Sequence, residues 1–110
     1  MNSFASGLLG EIRAAQYLKK QGMRIATRRF RAAGGEIDLI ARDGHTLVFV
    51  EVKSRPDGRI GEGAAAVDRD KKRRLRSAAR AYLARHPQQD VRFDVVELSA
   101  AGLRHIRNAL

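Results

Sequence analysis

Asp38, Glu51 and Lys53 are the residues of this 110-residue chain whose types and spacing point most directly to chemistry. Asp38 lies in Gly35-Glu36-Ile37-Asp38-Leu39-Ile40-Ala41, and the other two end Leu47-Val48-Phe49-Val50-Glu51-Val52-Lys53. Two carboxylates brought together offer the hard oxygen ligands that suit Mg²⁺ or Mn²⁺. An ion held there lowers the pKa of a bound water and stabilises charge developing on a phosphate. Lys53 would orient or activate that water, or neutralise the transition state. The plainer alternative is a surface ion pair of Lys53 with Glu51 or Glu36, and such pairs contribute little.

A hairpin must position these side chains. Residues 36–42 and 46–53 read as strands, joined at Asp43-Gly44, a strong tight-turn signal. Alternation puts Glu36, Asp38 and Ile40 on one face, and Ile37, Leu39 and Ala41 on the other. In the second strand Leu47, Phe49, Glu51 and Lys53 share a face, opposite Val48, Val50 and Val52. A two-residue turn at Asp43-Gly44 pairs Arg42 with His45, Asp38 with Phe49 and Glu36 with Glu51. Asp38, Glu51 and Lys53 then emerge together, with Asp38 and Glu51 as diagonal neighbours roughly 7–8 Å apart. A three-residue turn would shift the pairing by one and separate them. Like charges facing each other cost stability unless something compensates, as a bound cation would.

The rest of the chain reads as a frame for this hairpin. Residues 4–21 form an amphipathic helix, with Phe4, Leu8, Ile12, Ala15 and Leu18 at spacings of three and four. Ser3 is its N-cap and Gly22 its stop. Residues 24–31 read as a basic strand, Ala33-Gly34-Gly35 as a turn, 54–63 as a loop and 64–86 as a helix ended by Pro87. Residues 91–98 are an apolar strand and 103–108 a last edge strand. The order is αβββαβ(β), a mixed α/β domain spanning 1–110.

Two charges fall on apolar helix faces. Glu11 sits inside the stripe of the first helix, where a carboxylate is costly unless paired or coordinated. Packed over the charged end of the hairpin it would add a further ligand; the alternative is a stripe-edge Glu paired with an Arg. Lys71 falls between Ala78 and Tyr82 on the second helix. It either reaches a phosphate or the site, or carries its ammonium out to water. Lys72, Arg73, Arg74, Arg76 and Arg80 spread over exposed faces, to contact phosphates without reading sequence or simply to be solvated. His45, His86 and His105 look unconnected, so a histidine metal site is not expected.

Composition narrows the partners. The net charge is +10, from 22 Lys and Arg against 12 Asp and Glu. Such a domain attracts polyanions, nucleic acid first and an anionic membrane surface second. An Arg-rich bias with no partner is the bland alternative. No apolar run approaches the roughly 20 residues of a membrane helix. Met1-Asn2-Ser3-Phe4 lacks a basic n-region followed by an apolar stretch, so secretion is not expected. The chain has no cysteine, which excludes thiolate sites and fits a reducing cytoplasm.

These stretches, with Ser54-Arg55, Gly7-x-x-Gly10-Glu11, Lys71 with Arg74-Leu75 and Arg92-Phe93-Asp94-Val95-Val96, resemble the YraN family of small bacterial proteins along nearly the whole chain. Arg29 stands where that family usually has Asn, and Lys72 where Gln is common; neither is expected to touch the acidic cluster. The family in turn resembles the PD-(D/E)XK nucleases, and among them the archaeal Holliday-junction resolvases. The resemblance implies a restriction-endonuclease-like αβββαβ core, a mixed central sheet flanked by helices, and Mg²⁺-dependent (or Mn²⁺-dependent) phosphodiester hydrolysis. It would make Asp38 and Glu51 metal ligands, Lys53 the water-assisting base, Glu11 a completing ligand and Lys71 a supporting base. Arg31, Arg55, Lys72, Arg73 and Arg74 would contact nucleic acid, with DNA favoured over RNA. Symmetric cutting of two strands would suggest a homodimer.

The leading expectation is therefore an endonuclease acting on DNA, on branched or damaged structures among them. A non-catalytic nucleic-acid-binding module is the second reading. An adaptor using the 91–108 edge strands is the third.

Overall fold

The computed structural model describes residues 3–55, 69–88 and 90–109; the side chains of residues 3–6 and of Arg55 lie outside this set. Helix α1 (Ser3–Lys20) is followed by β1 (Arg24–Ala32), β2 (Gly35–Asp43), β3 (Thr46–Arg55), α2 (Arg69–Arg85), β4 (Val91–Ser99) and β5 (Gly102–Ile106). The strands form one sheet in chain order, antiparallel except for β3 and β4, which are parallel. A parallel pair needs a crossover, and α2 supplies it. The αβββαβ core is the one the residue pattern predicts. Residues 56–63 of the expected loop and 64–68 of the expected helix lie outside the described residues. No helix among them is long and apolar enough to cross a membrane.

Each face of the sheet carries its own core. Ala14, Ala15 and Leu18 of α1 pack with Leu39, Ala41, Val48, Val50, Val96 and Leu98. Leu75, Ala78, Ala79 and Tyr82 of α2 pack with Ile37, Ile40, Leu47 and Phe49. Valines and isoleucines buried on both sides are what a central strand covered by helices requires.

Helix α1 meets the sheet on only part of the expected stripe, through Ala15 and Leu18 but not Leu8 and Ile12. Leu8, Leu9 and Ile12 are 40%, 47% and 37% exposed, while Gly10, Ala14, Ala15 and Leu18 are buried. Small residues let the helix sit close: a Cβ on Gly10 would collide with the Ser54 hydroxyl. Hydrophobic spacing gives glycine little weight, so it selects Leu8 and Ile12 beside the contact that Gly10 makes. The helix stops at Gly22 as expected. Gly22 adopts φ +92, and the Gly22 and Met23 amides donate to the Lys19 and Leu18 carbonyls, both at 3.0 Å, the paired bonds of a Schellman cap.

The hairpin turn also differs. Asp43 pairs with Thr46 and Arg42 with Leu47, so the two turn residues are Gly44 and His45. Gly44 takes φ +62, the left-handed conformation that a tight hairpin demands at its first turn position. The register has moved by two residues from that of an Asp43-Gly44 turn. A shift of two preserves which side each residue faces, so Glu51 and Lys53 still share a side with Phe49.

Strand β2 breaks the alternation once. Ile37 belongs to the α2-side core with Ile40, whereas Leu39 and Ala41 belong to the α1 side. The expected grouping of Ile37 with Leu39 and Ala41 therefore fails, and Asp38 is where the strand changes sides. Across from it on β1, between the Arg28–Leu39 and Phe30–Ile37 pairs, Arg29 adopts φ +52. This left-handed conformation favours Asn over a long side chain, in keeping with the Asn expected there from the family resemblance.

Candidate active site at the strand fork

The ladder between β2 and β3 ends at Leu39–Val50. Beyond it, β2 continues on β1 while β3 continues on β4, so the two strands fork. Asp38 is the first β2 residue past the last pair, and Glu51 the first of β3. Val52, which has no ladder partner on β2, donates its amide to Asp38 Oδ2 at 2.8 Å. The fork thus exists where a side-chain carboxylate replaces a backbone acceptor.

Four of the sequence-selected residues meet here. The Glu51 carboxylate lies close enough to Asp38 for its charge to bear on that group. Glu51 is 4% exposed. Its Oε1 is 2.5 Å from Lys71 Nζ and 3.7 Å from Lys53 Nζ. Lys71 arrives from α2, which is held against the start of β2. A Cβ on Gly35 would overlap the Arg74 backbone carbonyl, so only glycine lets α2 come near enough, and Ser77 Oγ donates to the Ala33 carbonyl at 3.0 Å. The open groove beside Lys71 runs between the β1–β2 turn and α2, past Arg31, Gly35, Glu36 and Arg74.

Three of these groups have shifted pKa values. Burial pushes the Asp38 carboxyl up to about 7; the Glu51 charge and, more weakly, Glu11 add to this, and the Val52 amide opposes it. Burial also lowers Lys53, helped by the neighbouring Lys71 ammonium and opposed by Glu51 and Asp38. For Lys71, burial works against the charge, but hydrogen bonding to Glu51 and Lys53 and the carboxylate charges outweigh it and raise the pKa. One lysine is pushed towards the neutral amine and the other held as a cation. Such a division commonly separates a proton acceptor from a charge stabiliser.

Glu11 stands apart from this group. Its Oε2 accepts from Arg29 Nε at 2.8 Å, and that contact raises the Arg29 pKa. Glu11 is thus paired with an arginine, the alternative that its place on the helix left open. Among the described residues no three His, Cys, Asp or Glu side chains gather closely enough to hold a metal ion. The donor set at the fork is two carboxylates. It still fits Mg²⁺, which binds through one or two carboxylates and keeps waters or substrate phosphate oxygens for its other positions. A divalent cation there would offset the repulsion of the Glu51 charge that helps to raise Asp38.

The expected nucleic-acid contacts divide. Arg31 pairs with Glu36 at 3.5 Å. Arg73 and Arg74 both pair with Asp70, Arg74 at 3.3 Å. Lys72 has no carboxylate partner among the described residues, and the Arg55 side chain lies outside them.

Sequence reasoning missed a second polar network, away from the fork. Asp94 is fully buried. It accepts from Arg92 Nε and Nη2 at 2.9 and 3.1 Å and from the Asn108 amide at 2.9 Å. His105 Nε2 lies 2.7 Å from its Oδ2, and Tyr17 Oη 3.1 Å from His105 Nδ1. Burial opposes ionisation of Asp94, but Arg92, Asn108 and His105 together hold its pKa below the usual carboxylate range. Every donor comes from within the fold, so the network ties β5 and α1 to β4. His105 is thus held by Asp94 and Tyr17. Only the β4–β5 register, with Val96 opposite His105, brings it to Asp94. The one available signal was a carboxylate inside an apolar strand, which must find partners.

Comparison with known proteins gives a family without an activity. The model of the uncharacterised protein family UPF0102 matches residues 10–98. A UPF0102 protein of Herminiimonas arsenicoxydans is 45% identical over 105 residues, covering 94% of this chain and 85% of its own. One from Dechloromonas aromatica is also 45% identical, covering 96% and 88%. One from Geobacter sulfurreducens is 46% identical, covering 94% and 86%.

Proposed function

For this chain, which belongs to the uncharacterised protein family UPF0102, we propose Mg²⁺- or Mn²⁺-dependent hydrolysis of phosphodiester bonds in nucleic acid, DNA in the first place. One observation carries the reading: at a fork between strands, two neighbouring carboxyl groups face two lysines whose pKa values are driven in opposite directions. Asp38 and Glu51 would hold the cation, which supplies charge stabilisation and a more acidic water. Lys53, biased towards its neutral form, accepts the proton of the attacking water. Lys71, kept charged by Glu51, balances the negative charge that grows on the phosphate. Glu11 acts at one remove by fixing Arg29 beside the fork. A cytoplasmic setting, among nucleic acid, accords with this activity.

The test uses supercoiled plasmid and four-way-junction DNA with Mg²⁺ or Mn²⁺. Cleavage is expected from the parent protein, and its loss on chelation and in Asp38→Ala. Cleavage that survives in both Asp38→Ala and Lys53→Ala would sink the reading. Metal-indifferent binding without cleavage would favour an accessory module on the same fold.

A further inference from the structure

Helix α2 carries a second charged feature that the fork does not use. Arg69, Lys72, Arg73, Arg76 and Arg80 line one groove along its outer side. These positions repeat at helical spacing, so they form one stripe. At 1.5 Å per residue it runs roughly 16 Å. Among the described residues no carboxylate lines the groove. Arg73 is paired with Asp70; Arg69, Lys72, Arg76 and Arg80 have no carboxylate partner among the described residues. Four like charges on one helix face repel one another, so the stripe lowers its energy by meeting an extended polyanion.

We infer that the outer face of α2 is a track for the phosphodiester backbone of nucleic acid, extending to one side of the fork. Two observations select this occupant over an anionic membrane surface. A surface-bound helix needs apolar side chains to sink between lipids, yet the exposed large hydrophobics of the described residues are Leu8, Leu9 and Ile12, all on α1. The cations also lie in line along a straight helix. Duplex DNA presents a phosphate every 3.4 Å or so along each strand, so a track of this length meets several in succession. Lys71 and Lys72 are consecutive, one at Glu51 and the other in the stripe, so the helix itself joins track to fork. From Lys71 to Arg80 the axis advances roughly 13 Å, which sets the reach of the contacts on that side. Arginine and lysine meeting phosphates fix position without reading bases, and the track is therefore indifferent to sequence.

The inference names how the substrate of the proposed reaction is held, but it rests on separate residues and is tested without catalysis. Binding of a fluorescent 24-base-pair DNA duplex is measured in EDTA across a salt series. The parent protein is expected to show a log–log salt slope of about −3.5 or steeper, from four or more phosphates neutralised. Arg76→Gln/Arg80→Gln keeps good helix formers on the surface; it should flatten the slope by about two and weaken binding at least tenfold, equally for unrelated sequences. An unchanged slope in a variant with the parent's unfolding temperature overturns the track. So does binding to phosphatidylserine vesicles that depends on the same two arginines and exceeds binding to DNA. Sound DNA binding in a protein that cuts nothing would leave the track standing and remove the proposed activity; cleavage with an unchanged salt slope would do the reverse.

Discussion

Lys53→Ala is expected to slow single-turnover cleavage of DNA by about a thousandfold, within the range of general-base catalysis, while leaving unfolding temperature and DNA affinity close to the parent's. The expectation follows from position. Lys53 lies on the same side of β3 as Glu51, with its ammonium 3.7 Å from the Glu51 carboxylate. Burial and the adjacent Lys71 make its neutral form accessible. Lys53→Arg separates two roles, because a guanidinium keeps its proton. If Lys53 accepts a proton, arginine is as poor as alanine. If it contributes only charge, arginine restores much of the rate. At Lys71 the opposite pattern is expected, since Glu51 keeps that group charged: Lys71→Arg should retain more activity than Lys71→Ala. Equal rates for Lys53→Ala and the parent would remove Lys53 from the chemistry.

The second large effect is on stability. Asp38 titrates near its ordinary value of 3.8 in the unfolded chain and at about 7 in the folded one. Between those values the native protein binds a proton that the unfolded chain does not. Stability from this group is therefore full below about pH 4 and is lost as pH rises towards 7. The shift corresponds to something on the order of 4 kcal/mol, at 1.36 kcal/mol per pH unit. Asp38→Asn removes the titration, so the variant should lose less stability between pH 4.5 and 8 and be the more stable protein at pH 8. Millimolar Mg²⁺ should stabilise the parent at pH 8, where Asp38 is ionised, and not the variant. Urea unfolding at the two pH values, with and without Mg²⁺, checks both statements. Parallel pH dependences for parent and variant would contradict the raised Asp38.

Much of the frame was legible in the sequence, because it depends on period. Alternation marks the strands, Gly22 and Pro87 end the helices, and the β3–α2–β4 order requires a parallel pair. The grouping of Glu51 with Lys53 survived a misplaced turn because an error of two residues leaves the facing of side chains intact. What stayed hidden depends on small residues and irregular backbone. Gly10 and Ala14, not Leu8 and Ile12, join Ala15 and Leu18 in the contact with the sheet. Arg29 at φ +52 and the change of side at Asp38 break the rule that strand reading relies on. Glu11 followed its expected helical phase inward, but periodicity along α1 says nothing of the arginine on β1 that meets it. The link from His105 to Asp94 required knowing which residues of β4 and β5 face each other.

The central claim is that Asp38 and Glu51 together hold a divalent cation at the fork. Crystals of the protein at pH 8, soaked in Mn²⁺ and measured at a wavelength where manganese scatters anomalously, test it most directly. The expected result is an anomalous peak bridging the two carboxylates, absent from Asp38→Asn crystals treated alike. A fork without a peak at saturating Mn²⁺, or a peak that persists in Asp38→Asn, would contradict the account.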